Sequence, residues 1–222
     1  MTNDNNFILD EIDQDLGERI DAGRRNLFAR YAMPGVALAS APLILAAASS
    51  EAFAAGGLPQ KVVDVLNFAL TLEYLEAAFY KMGNEADGLI PSEYRALFRT
   101  IGKHETAHVA LLKSALGAAA VKAPAVDFTA GGKYADVFSN FKTFATLSAT
   151  FEDLGVAAYK GQAGNLIGTP VLTTALQIHS VEARHAGAVR PLVGKASTPS
   201  AFDKPKTKPQ VLKEKNWFFK LS

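Results

Sequence analysis

The apolar positions between residues 58 and 194 recur every three to four residues, the spacing of helices that bury one face. They predict four helices, over residues 58–82, 91–116, 138–161 and 169–193. Gly or Pro stands beside most of these boundaries, as expected where helices begin and end. Residues 117–133 are long for a loop in a compact domain, so we place a crossover there. The pattern predicts an all-α four-helix bundle over residues 55–194.

The two halves of this bundle repeat each other. Residues 73–81 align with residues 152–160, because each segment begins with a Glu and has a Tyr seven positions on. Each segment is followed, one helix later, by a Glu-x-x-His motif. A duplicated helix pair brings equivalent side chains together about a pseudo-twofold axis. That is the symmetry a two-metal site requires.

The two motifs are Glu105-Thr106-Ala107-His108 and Glu182-Ala183-Arg184-His185. Their spacing places the Glu and the His of each motif on one helical face, about one turn apart. Helices that supply Glu, Glu-x-x-His, Glu and Glu-x-x-His form the ligand set of a dinuclear carboxylate site. We therefore expect six side chains to converge inside the bundle, with carboxyl pKa values raised by like-charge crowding. They are Glu73, Glu105, His108, Glu152, Glu182 and His185.

A zinc protease is the alternative that the second helix suggests. Residues 104–108 read His-Glu-x-x-His, the motif of zincin metalloproteases, with Glu105 as general base. Zincins need a third ligand, and the next Glu after Glu105 is Glu152. The dinuclear interpretation explains Glu105 and His108 together with four other residues, and we prefer it.

Two further acidic or basic side chains have open roles. Glu76 lies one turn from Glu73 and is either a seventh ligand or, as we favour, a residue beside the site or in solvent. His179 precedes Glu182 by one turn, and we interpret it as a neighbour of the site or a surface residue rather than a ligand.

Tyr80 and Tyr159 are candidate catalytic residues that act by orienting the metal ligands. Each lies two turns after its Glu on the same helical face, where it either fills the core or donates to a carboxylate of the facing helix. The repeat pairs the first helix with the third. It therefore predicts that Tyr80 reaches Glu152 and that Tyr159 reaches Glu73.

The sequence around the first Glu resembles a known family. Leu66-Asn67-Phe68-Ala69-Leu70-Thr71-Leu72-Glu73 is similar to the first-helix motif of bacterioferritins. Residues 72–80 and 150–161 resemble the ferritin-like domain family that includes desiccation-related proteins. The resemblance covers residues 60–194 and implies a ferritin-like bundle with a long crossover between helices two and three. It also implies that the six side chains named above bind two divalent ions of iron or manganese.

Hard oxygen ligands with two imidazoles suit iron or manganese. Bridging carboxylates hold such ions about 3.5–4 Å apart, close enough for both to contact one dioxygen or peroxide. We therefore expect redox chemistry on oxygen or peroxide, as in a di-metal oxidoreductase. The alternative is a metal-binding structural or stress-protective protein with little turnover. Homo-oligomer formation stays open, and the export-like segment and basic tail depart from storage ferritins that form cages.

Residues 1–54 have the features of an export signal. Arg24-Arg25 precede Leu27-Phe28 and an apolar run, and Ala52-Phe53-Ala54 resembles a small-x-small cleavage site. The paired arginines resemble a twin-arginine signal, so we expect a periplasmic or exported protein that the export machinery handles as a precursor. The alternative for the apolar run is a buried N-terminal helix.

Composition excludes some kinds of metal site and shows where the positive charge of the chain lies. The chain has 222 residues and no Cys, which excludes disulfides, zinc–thiolate sites and iron–sulfur clusters. Residues 195–222 hold seven Lys against two acidic residues, so this C-terminal tail is basic although the whole chain carries only +1. Its aromatic end suggests that the tail docks on the protein. Nothing in the sequence resembles a nucleic-acid-binding motif, and we expect no nucleic-acid partner.

Overall fold

The computed structural model describes residues 58–215, 218 and 219. Four long helices form the bundle: α1 (Gln60–Glu85), α2 (Arg95–Leu116), α3 (Phe141–Ala163) and α4 (Val171–Val189). A short helix, α5 (Lys208–Lys215), follows them. The described part of the chain contains no strand, and none of its helices is long and apolar enough to cross a membrane. The all-α prediction is confirmed.

The bundle consists of two helical hairpins joined by a long connection. α1 packs along α2, α3 packs along α4, and α1 also contacts α3. Residues 117–140 make the predicted crossover between the hairpins, and the Asn67 side chain fixes its first part to α1. The Asn67 amide donates to the Ala119 carbonyl at 2.9 Å, and its oxygen accepts from the Val121 N–H at 2.9 Å.

Two of the helix boundaries that differ from the prediction have a clear cause in the structure. α1 continues through Gly83 to Glu85, because this glycine serves packing and does not end the helix. A Cβ at Gly83 would lie 2.2 Å from the Phe144 ring, so only glycine fits there. α3 begins at Phe141 rather than near residue 138, because the Asn140 side chain caps it by accepting from the Lys142 N–H at 3.0 Å.

Two large apolar clusters fill the bundle, one on each side of its middle, and a smaller third one includes Val211 of α5. One is rich in aromatic side chains and centres on Phe79, whose ring stacks on Phe144 at 4.7 Å. The other is mainly aliphatic and includes Leu70, Leu112 and Ile178. On each of the four helices, the predicted metal ligands lie in sequence between residues of the two clusters. The candidate site is therefore enclosed by apolar layers.

The basic C-terminal tail docks on the bundle, as its aromatic residues suggested. The Lys206 N–H donates to the Ala157 carbonyl of α3 at 2.9 Å, and Val211 is fully buried. Phe218 is buried and packs edge-on against Phe151, with ring centroids 4.9 Å apart. Residues 1–54, where the export prediction falls, and Trp217 lie outside the described residues.

Candidate metal centre

The six predicted ligands lie together in the middle of the bundle. α1 contributes Glu73, α3 contributes Glu152, and the two Glu-x-x-His motifs lie on α2 and α4. All four carboxylates are completely buried, and His108 and His185 are at most 8% exposed. The repeated helix pair inferred from the sequence thus brings equivalent side chains to one place.

The six side chains form two overlapping groups. In each group, one ligand atom per residue lies within 4.8 Å of the others. The first group adds Glu73 and His108 to Glu105 and Glu182. The second adds Glu152 and His185 to the same two residues. Glu105 and Glu182 belong to both groups, so the two groups share these carboxylates.

His108 ties the first group together. Its Nδ1 atom lies 3.2 Å from Glu73 Oε2, 3.2 Å from Glu105 Oε2 and 3.1 Å from Glu182 Oε1. One imidazole nitrogen thus faces three carboxylates, and each of the three comes from a different helix. Three carboxyl oxygens thus surround one imidazole nitrogen in a compact, polar pocket.

The second group also consists of three carboxyl groups and one imidazole, but fewer of its atoms form hydrogen bonds. His185 Nδ1 lies 2.9 Å from Glu105 Oε1 and 3.3 Å from Glu152 Oε2, but neither approach has the angles of a hydrogen bond. Four buried carboxylate oxygens and one imidazole nitrogen of the centre therefore have no hydrogen-bond partner among the described residues. They are Glu105 Oε1, Glu152 Oε2, both carboxylate oxygens of Glu182, and His185 Nδ1.

These unpartnered atoms are of the kind that bind metal ions. Leaving buried polar groups unsatisfied is costly, so a cluster of them in a native core calls for a ligand. Carboxylate oxygens and imidazole nitrogens are the donors that iron and manganese prefer in such sites. The donor set and its burial therefore fit a metal-binding site.

The carboxyl groups titrate differently from one another. Burial raises the pKa values of Glu105 and Glu182 well above the ordinary range, and neighbouring carboxylates raise them further. The expectation of raised values is wrong for Glu73. Burial pushes its pKa upward, but hydrogen bonds and the charge from His108, with hydrogen bonds from Glu105 and Tyr159, outweigh burial and lower it.

Both histidines of the centre hold protons more strongly than usual. Burial lowers the pKa of each imidazole, but the surrounding carboxylates raise it above its ordinary value, most strongly at His108. Metal ligation needs neutral imidazole and ionised carboxylate, so metal binding has to displace protons from this cluster.

Two tyrosines contact the carboxylates that the repeat assigned to them. The Tyr80 hydroxyl donates to Glu152, and the Tyr159 hydroxyl donates to Glu73 at 2.5 Å. Burial raises the pKa of both phenols well above the ordinary value, so both remain donors at neutral pH. Ser148, which no sequence pattern selects, lies with its hydroxyl 2.6 Å from that of Tyr80.

His104 does not complete a zincin site. Its side chain is exposed, and it belongs to neither group of candidate ligands found among the described residues. Its Nδ1 atom instead lies 2.9 Å from Nε2 of His185, and the two rings stack. His104 therefore contacts the outer edge of a candidate ligand, and the geometry favours the dinuclear interpretation.

Glu76 and His179 also belong to neither group. His179 is half-buried on α4, and burial lowers its pKa.

Glu76 is buried beside the centre, which agrees with one of the two positions favoured for it and excludes the other, a position in solvent. It pairs with Lys215 at 2.9 Å, and burial raises its pKa to about 8. Lys215 was missed, because one Lys in a lysine-rich tail looks like a solvated charge.

The chain matches a known protein family over more than half of its length. The family profile described as ferritin-like domain matches residues 61–195, which includes α2, α3 and α4, all of α1 except its first residue, and all six candidate ligands. No curated protein matches the chain at a significant level.

Proposed function

Because the chain belongs to the ferritin-like domain family, we propose that it is a metalloprotein with a dinuclear iron or manganese centre that carries out redox chemistry on dioxygen or peroxide. The observation that carries this proposal is the pair of overlapping ligand groups, buried in the bundle and sharing Glu105 and Glu182. If the cluster held no ions, several buried carboxylate oxygens and one imidazole nitrogen would have no partner among the described residues.

The residues divide naturally between the two ions. Glu73 and His108 would hold one ion and Glu152 and His185 the other, with Glu105 and Glu182 available to both. Four ionised carboxylates would balance the charge of two divalent ions, so the loaded centre would be neutral. Neutrality is what a site between two apolar layers requires, since an unbalanced charge there is costly.

A bound pair of redox-active ions supplies the electrons for reducing dioxygen or peroxide. The protein fixes the ligands and excludes water from the sides of the centre. Tyr80 and Tyr159 hold the two terminal carboxylates from opposite helices, so that one oxygen of each accepts from a phenol. A ligand whose orientation is fixed before the metal binds loses less freedom on binding.

Removing either phenol hydroxyl should weaken the centre. Phe in place of Tyr80 or Tyr159 keeps the ring in the core and removes only the donor to the carboxylate. Loss of such a partner typically costs about 10–100-fold in metal affinity or activity. We expect Tyr80→Phe and Tyr159→Phe to lose metal affinity to this extent in a Mn(II) titration, with unchanged helix content by circular dichroism.

Tyr74→Phe is the matched control for both variants. Tyr74 also lies on α1, but its hydroxyl contacts the Val121 carbonyl at 3.4 Å and no carboxylate of the centre. Its affinity for metal should equal that of wild type. If Tyr80→Phe and Tyr159→Phe also bind metal like wild type, the two tyrosines act only as core residues.

A peroxide assay separates an enzyme from a metal-bearing structural protein. The same metal-loaded sample, with known metal content, is mixed with hydrogen peroxide, and oxygen release and peroxide loss are followed. Turnover that disappears when the metal is removed supports the redox proposal. A fully loaded protein that neither consumes peroxide nor reduces dioxygen supports the stress-protective alternative instead.

We also propose that the protein acts in the periplasm. The support is the twin-arginine-like pattern at Arg24-Arg25 with the cleavage-like site at residues 52–54. Mass spectrometry of the native mature protein should find a chain that begins after about residue 54. A soluble native protein that begins at Met1 or Thr2 would show that this segment is not a cleaved export signal.

A further inference from the structure

A lysine from the C-terminal tail enters the core beside the candidate metal centre. Lys215, the last residue of α5, has no exposed surface, and its Nζ lies 2.9 Å from Oε1 of Glu76. The ammonium also lies 5.2 Å from the centroid of the Phe151 ring. A buried Lys is rare unless paired, and burying two charges costs more than an apolar pair of similar size. A contribution to fold stability alone therefore does not explain why Lys215 is buried.

The tail is held in place by close backbone contacts. The Lys206 carbonyl lies against α3 at Gly161, where a Cβ would come within 1.9 Å of the carbonyl oxygen. The Lys206 N–H also donates to the Ala157 carbonyl of α3. These contacts dock the segment on α3 ahead of α5, which places Lys215 reproducibly at Glu76 rather than in solvent.

Glu76 lies where the repeat of the bundle is broken. The alignment that pairs Glu73 with Glu152 pairs Glu76 with Gly155. A Cβ at Gly155 would lie 3.0 Å from Oε2 of Glu182 and 3.6 Å from Oε1 of Glu76. The glycine thus leaves room for the carboxylates of Glu76 and Glu182, which lie close to the same point. One half of the bundle has a fifth carboxylate where the other half has space.

The second oxygen of Glu76 has no hydrogen-bond partner among the described residues, and it is buried. Glu76 lies one turn from Glu73 and beside Glu182, and one of its carboxylate oxygens is unpaired. Such an oxygen is able to bind a metal ion. A fifth carboxylate on the ions would add a negative charge to a centre that four carboxylates already balance. Lys215 supplies the compensating positive charge and holds the other oxygen of Glu76.

The geometry points to Lys215 as a positioning residue of the metal centre: its ammonium holds the Glu76 carboxylate beside the two ions as a non-ligand. This inference rests on the proposed dinuclear centre. It makes the docked tail part of the centre, and it makes the two metal positions inequivalent, because the repeat provides no second Lys–Glu pair on the Gly155 side.

The test compares four forms of the full-length chain in a Co(II) titration followed by visible absorption and by metal content. They are wild type, Lys215→Met, Glu76→Gln/Lys215→Met and Lys213→Met. Lys213 is exposed on the same short helix, so its variant controls for loss of a tail lysine. Should Lys215→Met fail to fold, Lys215→Gln, which removes the charge but keeps a hydrogen-bond donor, replaces it under the same criteria.

We expect wild type and Lys213→Met to give the same spectrum. In Lys215→Met the released Glu76 joins the ligands, so the visible bands weaken as the coordination number of Co(II) rises. In the double variant, the amide that replaces the Glu76 carboxylate is a poor ligand, and the wild-type spectrum returns.

Two results overturn the inference while leaving the proposed function intact. One is a Lys215→Met protein that binds Co(II) with the wild-type spectrum. The other is a changed spectrum that Glu76→Gln does not reverse, since the change then does not come from Glu76. If wild type itself binds no metal, the proposed function and the inference are both wrong.

Discussion

Glu182→Gln should remove both metal ions from the protein. Glu182 belongs to both candidate ligand groups, so its side chain is in contact with both ions in the proposed centre. Gln has the same shape but no negative charge, and its amide is a poor bridging ligand. We expect metal analysis after loading with Mn(II) to show almost no bound metal. Glu73 belongs to one group only, so Glu73→Gln should retain more bound Mn(II) than Glu182→Gln.

Loss of metal in this variant will not reflect misfolding. Burial raises the pKa of Glu182 well above its ordinary value, so above that ordinary value the metal-free fold is less stable than it would be with a neutral side chain at this position. The neutral Gln removes that penalty, and the metal-free variant should unfold at a temperature equal to or above that of metal-free wild type. Glu93→Gln, on an exposed turn before α2, is the matched control and should bind metal normally. Full metal binding by Glu182→Gln would contradict the assignment.

Phe79→Ala should destabilise the bundle by about 3–5 kcal/mol, the usual cost of truncating a buried Phe. The Phe79 ring has no exposed surface, stacks on Phe144 at 4.7 Å and meets Phe151 edge-on at 5.0 Å. Alanine leaves a cavity beside these two rings of α3, and a rigid helix backbone closes such a cavity only in part. Urea unfolding of the metal-free protein measures the loss.

Phe202→Ala provides the matched control for this prediction. The Phe202 side chain is 83% exposed, so its removal should change the free energy of unfolding by less than about 0.5 kcal/mol. A loss below about 1 kcal/mol for Phe79→Ala would mean that the aromatic cluster repacks around the gap and that it is not the rigid layer beside the metal centre.

The fold was predictable because its signals are local and repeated. Apolar spacing located four helices, and the long stretch after residue 116 located the crossover. One error came from tertiary packing. Gly83 looks like a helix end in sequence, but its function is to make room for the Phe144 ring of another helix. Sequence spacing carries no information about such a contact.

The candidate site was predictable where it follows the repeat and missed where it does not. Two Glu-x-x-His motifs and two Glu–Tyr pairs fix six donors and two hydroxyl contacts through helical periodicity alone. Ser148 and Lys215 have no counterpart in that pattern. Lys215 is separated from Glu76 by 139 positions, and only the docking of the tail shows that its charge lies in the core.

The most direct test of the central claim is metal analysis of the full-length protein purified from its native source without chelators. The proposed centre predicts close to two ions of iron or manganese per chain, and predicts that Glu182→Gln purified in the same way loses them. A native protein that contains neither metal, or that keeps its metal when Glu182 is replaced, would contradict the account.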